Sequence, residues 1–192
     1  MTDLAHLLPV WGPWLLGLSA FLSCMMIPVP TSVLLISAGA LTGTGHLQLA
    51  EMAAAAVVGA SMGDLVAFLL ARRLQPWLAR PGRRGAVLAR AQALVARRGA
   101  SAVFLSRWLI TPLGPASNYV AGAAGLSLPR FMAASVPGEA IWVGIHLALG
   151  HLAGRGFRGT EAAALKALAV AAALGLGLWA LRLWRRRRGR TI

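Results

Sequence analysis

The feature that most restricts the fold of this chain is its succession of long apolar runs. Several of them approach the roughly 20 residues that a helix needs to cross a bilayer, namely 11–27, 49–70, 131–152 and 162–183. The 192 residues are 58% hydrophobic and include only five acids. Helices satisfy their own backbone groups inside lipid. The sequence therefore predicts an all-α membrane protein with a single membrane domain over residues 1–192, ending in a transmembrane helix at 162–183.

The basic residues are confined to the connections and the tail. The formal net charge is +14, and arginines cluster in the connection 72–98 and in the tail 184–192. Loops rich in Arg and Lys stay on the cytoplasmic side of a membrane. Both clusters are therefore predicted to be cytoplasmic and to bind anionic lipid headgroups, and we expect no nucleic-acid partner. The first nine residues carry no Lys or Arg, so we expect no signal peptide there.

The basic connection 72–98 has two interpretations. Five of its apolar residues follow helical spacing between arginines, which is typical of a helix lying on an anionic membrane surface; they are Val87, Leu88, Ala91, Leu94 and Val95. A solvated basic loop is the alternative.

The segment 100–126 is apolar but interrupted by "RWLITPLGPASN" at 107–118. Two full spans follow it, and the arginine clusters on either side are both cytoplasmic, so the segment must cross the membrane an even number of times. It is too short for two complete helices. We predict a re-entrant hairpin that turns at Pro112, Gly114 and Pro115. Such a backbone is tolerated at membrane depth only when protein or a water-filled cavity surrounds it.

The first half of the chain repeats this pattern. A proline break at Pro28 and Pro30 is followed by "AGA" at 38–40, just as the second break is followed by "AGA" at 121–123. A long apolar run containing an acid comes next in both cases. The order predicts an inverted repeat with two opposed re-entrant hairpins, an architecture typical of transporters.

Over about residues 20–155 the sequence resembles the DedA family, whose core is also called the VTT or SNARE-associated domain. The resemblance lies in "IPVPTSVLLISAGAL", "GASMGDLVAFLLARRL", "FLSRWLI" and "PGEAIWVGIHLALGHLAG", taken in that order. It implies two opposed re-entrant hairpins. It also implies movement of lipid carriers or phospholipids between leaflets, often with proton coupling. Undecaprenyl phosphate and phosphatidylethanolamine are substrates that it suggests, and the bacterial inner membrane is the expected location.

The chain departs from the family at three positions. The resemblance implies an acid shortly before the first prolines and another just after them, where this chain has Ser23 and Ser32. It also implies two arginines in the second hairpin. Arg107 matches the first, whereas the second falls near Gly114. Proton coupling through the usual acids is therefore not expected here.

Three ionisable residues remain inside apolar segments: Asp64, Arg107 and Glu139. Such groups are costly in a membrane and usually face the bundle interior in pairs. We predict that Arg107 pairs with Asp64 or Glu139, either as a substrate or proton site or as a structural ion pair that fastens the hairpins. Three polar side chains are further candidates for the same site, namely Ser32, Ser117 and Asn118. The last two could donate to a phosphate or cap the returning helix.

Enzyme motifs do not occur in the sequence. It contains no Walker loop, H-E-x-x-H, G-x-S-x-G or Cys/His cluster, so we expect no enzyme activity, cofactor or metal. Three GxxxG pairs, Gly39/Gly43, Gly59/Gly63 and Gly150/Gly154, fit either internal packing or a homodimer. We expect a lipid translocase for a phosphate-bearing lipid. The alternatives are a small-ion or solute transporter of the same fold and a membrane-homeostasis factor that transports nothing.

The topology gives the first testable prediction. Both termini and the connection 72–98 should be cytoplasmic, and residues 155–160 should face outward, because two crossings separate the arginine clusters. A cysteine at Gly159 should react with an impermeant maleimide added from outside, with the wild-type chain and its single Cys24 as background. Labelling from the cytoplasmic side alone would rule out the re-entrant arrangement.

Overall fold

The computed structural model describes residues 3–78, 83–108 and 114–156, and these residues form six helices without a strand. The helices are α1 Asp3–Cys24, α2 Thr31–Thr44, α3 Leu49–Leu78, α4 Arg83–Trp108, α5 Gly114–Ala123 and α6 Leu128–Arg155. The predicted all-α class is confirmed over these ranges. The predicted helix at 162–183, the basic tail and Pro112 lie outside the described residues.

Two of these helices, α3 and α6, are long and apolar enough to cross a membrane. They correspond to the predicted runs 49–70 and 131–152, but both are longer than predicted. The α3 helix continues through Arg72 and Arg73 to Leu78, so the first part of the basic connection is not a connection at all. Arginine, leucine and glutamine are good helix formers. Their presence at 72–75 favours continuation of the helix past the apolar run, and the helix also includes Pro76.

The rest of the basic connection is helical from Arg83 onward, so the solvated-loop interpretation is wrong for this part of the backbone. Gly99 interrupts α4 with φ 50° and ψ −138°. Glycine tolerates this positive φ because it has no Cβ. The kink separates the basic part of α4 from the part 100–108, which carries Arg107. Contact of the basic part with the membrane surface stays a prediction.

The two proline breaks differ in detail. Between α1 and α2, residues 25–30 are non-helical, and Pro28 and Pro30 lie in this stretch as predicted. In the second half, Gly114 and Pro115 belong to the first turn of α5 and are not turn residues, contrary to the prediction. Proline is tolerated in a first helical turn because the N–H that it lacks would have no intrahelical acceptor there.

The helices pack in reciprocal pairs. The six helices divide in chain order into two halves, α1–α3 and α4–α6. The helix before each break packs on the long helix of its own half: α1 packs on α3, and α4 packs on α6. After each break, α2 packs on α6 and α5 packs on α3, so each contacts the long helix of the other half. This exchange brings the residues at both breaks to the same part of the molecule.

Glycines make these contacts close. A Cβ on Gly39 would collide with the carbonyl oxygen of Leu147, and one on Gly150 would collide with that of Ile36, so the α2 and α6 backbones touch. The pair Gly59/Gly63 behaves in the same way, since a Cβ on Gly59 would collide with the backbone of Gly17 on α1. All three predicted GxxxG pairs thus serve packing within the chain.

The contact between α2 and α6 yields a second prediction. Gly150→Ala should lower the unfolding temperature, because overpacking a tight contact costs about 1–3 kcal/mol. Gly144 lies on the same helix, where a Cβ would meet nothing within 4 Å. Gly144→Ala should therefore be neutral or stabilising by up to about 1 kcal/mol, through helix propensity. Thermal unfolding in detergent compares the two variants, and a Gly150→Ala protein that melts at or above the Gly144→Ala protein would contradict the packing.

Candidate functional site

Asp64, Arg107 and Glu139 meet in the interior of the bundle, and we call them the charge cluster. Arg107 Nη1 and Nη2 each lie 3.0 Å from one oxygen of Asp64, and Nη1 lies 3.3 Å from Glu139 Oε1. The three side chains are almost completely buried. The predicted pairing of Arg107 with a carboxylate is thus confirmed, and it involves both acids. A bidentate arginine–carboxylate pair combines charge with fixed geometry.

The helices place this cluster far from either end of the long spans. Asp64 lies 15 positions after Leu49 and 14 before Leu78 on α3, which is about 21 Å from either helix end at about 1.5 Å per residue. Asp64 therefore lies near the middle of α3. On α6, Gly138 leaves room for the arginine, because a Cβ there would lie 2.7 Å from Arg107 Cγ.

Two neutral side chains complete the hydrogen bonding of the cluster. Asn118 on α5 accepts from Arg107 Nη2 through its Oδ1, and its Nδ2 donates to Asp64 Oδ1 at 2.7 Å. Ser135 on α6 accepts from Arg107 Nη2 at 3.0 Å and donates to Asp64 Oδ2. Arg107 thus joins α3, α5 and α6. Of the three guanidinium nitrogens of Arg107, Nε alone has no hydrogen-bond partner among the described residues.

The cluster also binds the backbone at both helix breaks. Cys24, the last residue of α1, accepts from Asn118 Nδ2 through its carbonyl oxygen at 3.2 Å. Gly114, the first residue of α5, accepts from Arg107 Nη1 at 3.2 Å. The last carbonyl groups of a helix, such as that of Cys24, lack intrahelical partners, and such groups are costly inside a membrane. Asn118 thus supplies a partner that the end of α1 needs, and Arg107 ties the start of α5 to the cluster.

The other predicted site residues lie further away. Ser117 donates to the Gly114 carbonyl at 2.7 Å and lies 3.0 Å from the Ser106 hydroxyl, so it supports the start of α5 without touching the guanidinium. Ser32 is half-buried in the first turn of α2, and in the described part of the chain no hydrogen bond joins it to the cluster. Among the described residues, neither serine is hydrogen-bonded to Arg107.

Two members of the site were missed by the sequence analysis. Ser135 lies four residues before Glu139, so both face the same side of one helix. A serine four residues before Glu139 in an apolar run was the signal in the sequence that could have identified Ser135 as a member of the site. The second is Cys24. Its Sγ lies 3.9 Å from Glu139 Oε1, and its carbonyl oxygen accepts from Asn118. Only its position directly before the first break distinguished it.

Three residues of the site carry atoms of the kind that bind metal ions. One atom each from Cys24, Asp64 and Glu139 lies within 4.8 Å of the others. The guanidinium of Arg107 lies among them, 3.0 Å from Asp64 and 3.3 Å from Glu139. Its permanent positive charge repels a cation. We therefore assign the two carboxylates to the arginine and not to a metal ion.

Comparison with known proteins gives a consistent family. Residues 29–152 match the model of the VTT domain. The chain is 37% identical over 139 residues to an uncharacterized membrane protein of Mycobacterium tuberculosis, a match that covers 67% of this chain and 62% of that protein. It is 28% identical over 166 residues to the inner membrane protein YabI of Escherichia coli, covering 82% of this chain and 65% of YabI. The chain thus spans somewhat less than two thirds of these relatives. No solved structure matches it significantly.

Proposed function

The chain belongs to the DedA family of membrane proteins, which share the VTT domain, and from that premise we propose that it moves a phosphate-bearing lipid between the leaflets of a bilayer. One observation carries the proposal: a charge cluster centred on Arg107 lies where two broken helices meet, midway along the span α3. Undecaprenyl phosphate and phospholipids are the substrate candidates. The location is the bacterial inner membrane, and no catalysis or cofactor is involved.

The proposed architecture is an inverted repeat of two halves, α1–α3 and α4–α6. The proline break of each half is then a re-entrant hairpin, and the two hairpins point toward each other. The exchange of helices supports this arrangement, since α2 packs on α6 and α5 packs on α3. In transporters of this kind, substrate sites lie between the repeats at the level of the broken helices.

In the proposed mechanism the lipid phosphate replaces Asp64 at the guanidinium. Arg107 presents two terminal nitrogens to Asp64, and phosphate oxygens match the same planar fork. Asp64 therefore occupies the anion position when no lipid is bound, which keeps the arginine neutralised and oriented. The Nε of Arg107 supplies one further donor to an incoming phosphate. Exchange between the carboxylate and the phosphate lets the headgroup pass the middle of the membrane without exposing a bare charge to lipid.

A second candidate function is small-ion transport, with the proton as the ion. Two carboxyl groups surround one guanidinium, so the cluster carries a net charge of −1 when both are ionised. One proton would make it neutral, which a membrane interior favours. Glu139 makes a single contact with the guanidinium, whereas Asp64 makes two, so Glu139 is the carboxyl that exchanges the proton in this reading. Proton coupling would then use Glu139 instead of the family positions occupied by Ser23 and Ser32.

Reconstituted vesicles distinguish the candidates. Purified full-length chain is placed in vesicles that contain a fluorescent phosphate-bearing lipid and an internal pH dye. Quenching the outer leaflet with an impermeant reductant then reports lipid exchange, and a pH step reports proton flux. The lipid translocase predicts that label from the inner leaflet becomes accessible. Proton flux without lipid exchange would favour the second candidate, and neither signal would indicate a factor that transports nothing.

A further inference from the structure

A second feature lies apart from the charge cluster, between α4 and α6. The two helices leave an open groove of about 360 Å³ on the surface of the bundle. Its lining comes from one stretch of each helix, Ala100, Ser101 and Phe104 on α4 and Arg130, Ala133 and Ala134 on α6. None of these residues belongs to the charge cluster.

The groove combines an apolar wall with one cation. Its base is formed by Phe104 and Ala134, which pack with the buried apolar residues around Phe131. Arg130 is exposed in the first turn of α6, and among the described residues no carboxylate lies within ion-pair distance of it. An arginine at the mouth of an apolar groove is complementary to a lipid whose phosphate binds the guanidinium and whose acyl chain fills the groove.

The groove leads toward the charge cluster. Arg130 and Gly138 are eight positions apart on α6, which is about 12 Å along the helix axis. Gly138 packs against the side chain of Arg107. On α4, Phe104 lies one turn before Arg107 and borders the same glycine through its carbonyl oxygen. The proposed function places Arg107 near the midplane, and Arg130 then lies close to the interface, since the half-thickness of the hydrocarbon core is about 15 Å.

We propose that the groove between α4 and α6 is a docking site for an anionic membrane lipid, with Arg130 binding its phosphate and the apolar lining holding an acyl chain. The lipid comes from the leaflet next to the basic part of α4, because the groove begins at Ala100, directly after the Gly99 kink. The inference rests on the proposed function, in that it supplies the route from one leaflet to Arg107.

Photocrosslinking in vesicles tests the groove. A benzophenone amino acid replaces Ala133 in the groove, and the control position is Leu149, which is exposed elsewhere on α6. The vesicles contain dioleoyl phosphatidylcholine with a minor fraction of dioleoyl phosphatidic acid. We expect the adducts at Ala133 to be enriched in phosphatidic acid about fivefold over those at Leu149, the factor that one interfacial arginine provides. Arg130→Gln should remove this enrichment.

Three results would overturn the docking site. The first is an equal lipid composition of the adducts at both positions, and the second is an enrichment that persists in Arg130→Gln. The third is a crosslink at Ala133 to residues 162–183 of the same chain, or to a second copy, in place of lipid. Leaflet exchange measured on the same vesicles separates this proposal from the proposed function. Exchange without enrichment overturns the groove alone, whereas enrichment without exchange supports the groove and counts against translocation.

Discussion

Arg107→Ala is expected to abolish most of the folded protein. The substitution leaves the buried carboxylate of Asp64 without its cation and removes hydrogen bonds to Asn118, Ser135 and the Gly114 carbonyl. Breaking a buried ion pair by removing one partner costs about 3–5 kcal/mol. Whole domains are stable by only about 5–15 kcal/mol. The monodisperse fraction after size exclusion in detergent, followed by thermal unfolding, measures the loss.

Arg155→Ala is the matched control for that experiment. Arg155 ends α6 on the exposed surface, so its loss removes the same charge without touching the cluster. Exposed charges away from such features usually change stability by about 0.5 kcal/mol or less. Its yield and unfolding temperature should therefore stay near those of the wild type. Equal yields for Arg107→Ala and Arg155→Ala would mean that the cluster does not hold the broken helices together.

The second large effect concerns the two acids, which should differ in their contribution to stability. Asp64 contacts both terminal nitrogens of Arg107 and accepts from Asn118 and Ser135, so Asp64→Asn should cost about 3–5 kcal/mol, as for a broken buried pair. Glu139 makes one longer contact with the guanidinium. Since Asp64 alone balances the charge of Arg107, Glu139→Gln should cost only about 1 kcal/mol, the size of one hydrogen bond.

Thermal unfolding of the two single variants, under one set of detergent conditions, checks this order. Both substitutions remove one negative charge and keep the size of the side chain, so they control for each other. We expect the unfolding temperature of Asp64→Asn to be clearly the lower. The reverse order would show that Glu139 is the principal partner of Arg107, and the proposed exchange of Asp64 with a lipid phosphate would then have to be abandoned.

The charged part of the site was predictable because ionisable residues inside apolar runs are costly and need partners. This argument predicts Asp64, Arg107 and Glu139 from the sequence, and the structure brings all three together. Small polar residues carry no comparable penalty. Ser135 and Cys24 were missed for this reason, since a single hydroxyl or thiol in an apolar helix is most often only packed.

The fold was predictable in its long helices and less so at their ends. Apolar runs identified α3 and α6, but apolarity does not mark where a helix stops, and α3 continues through arginines to Leu78. At the second break, Gly114 and Pro115 begin a helix although both are helix-disrupting residues, because the first turn tolerates them. The exchange of α2 and α5 between the halves depends on contacts distant in sequence, which local patterns do not contain.

The static geometry of the cluster fits both a structural ion pair and an anion site that Asp64 fills in the absence of lipid. In either case the guanidinium is buried and its terminal nitrogens are bonded. The two interpretations differ in what a lysine would do at this position. An ammonium keeps the charge that Asp64 needs but lacks the planar fork that binds phosphate through two parallel hydrogen bonds.

Lipid exchange per folded molecule by Arg107→Lys is therefore the most direct test of the central claim that Arg107 binds the lipid phosphate during translocation. The variant is purified as the monodisperse fraction, reconstituted at the same protein-to-lipid ratio as the wild type, and assayed with the fluorescent phosphate-bearing lipid. The account predicts a folded protein that has lost most of its exchange. Wild-type exchange by Arg107→Lys, or by any Arg107→Ala protein that folds, would contradict it.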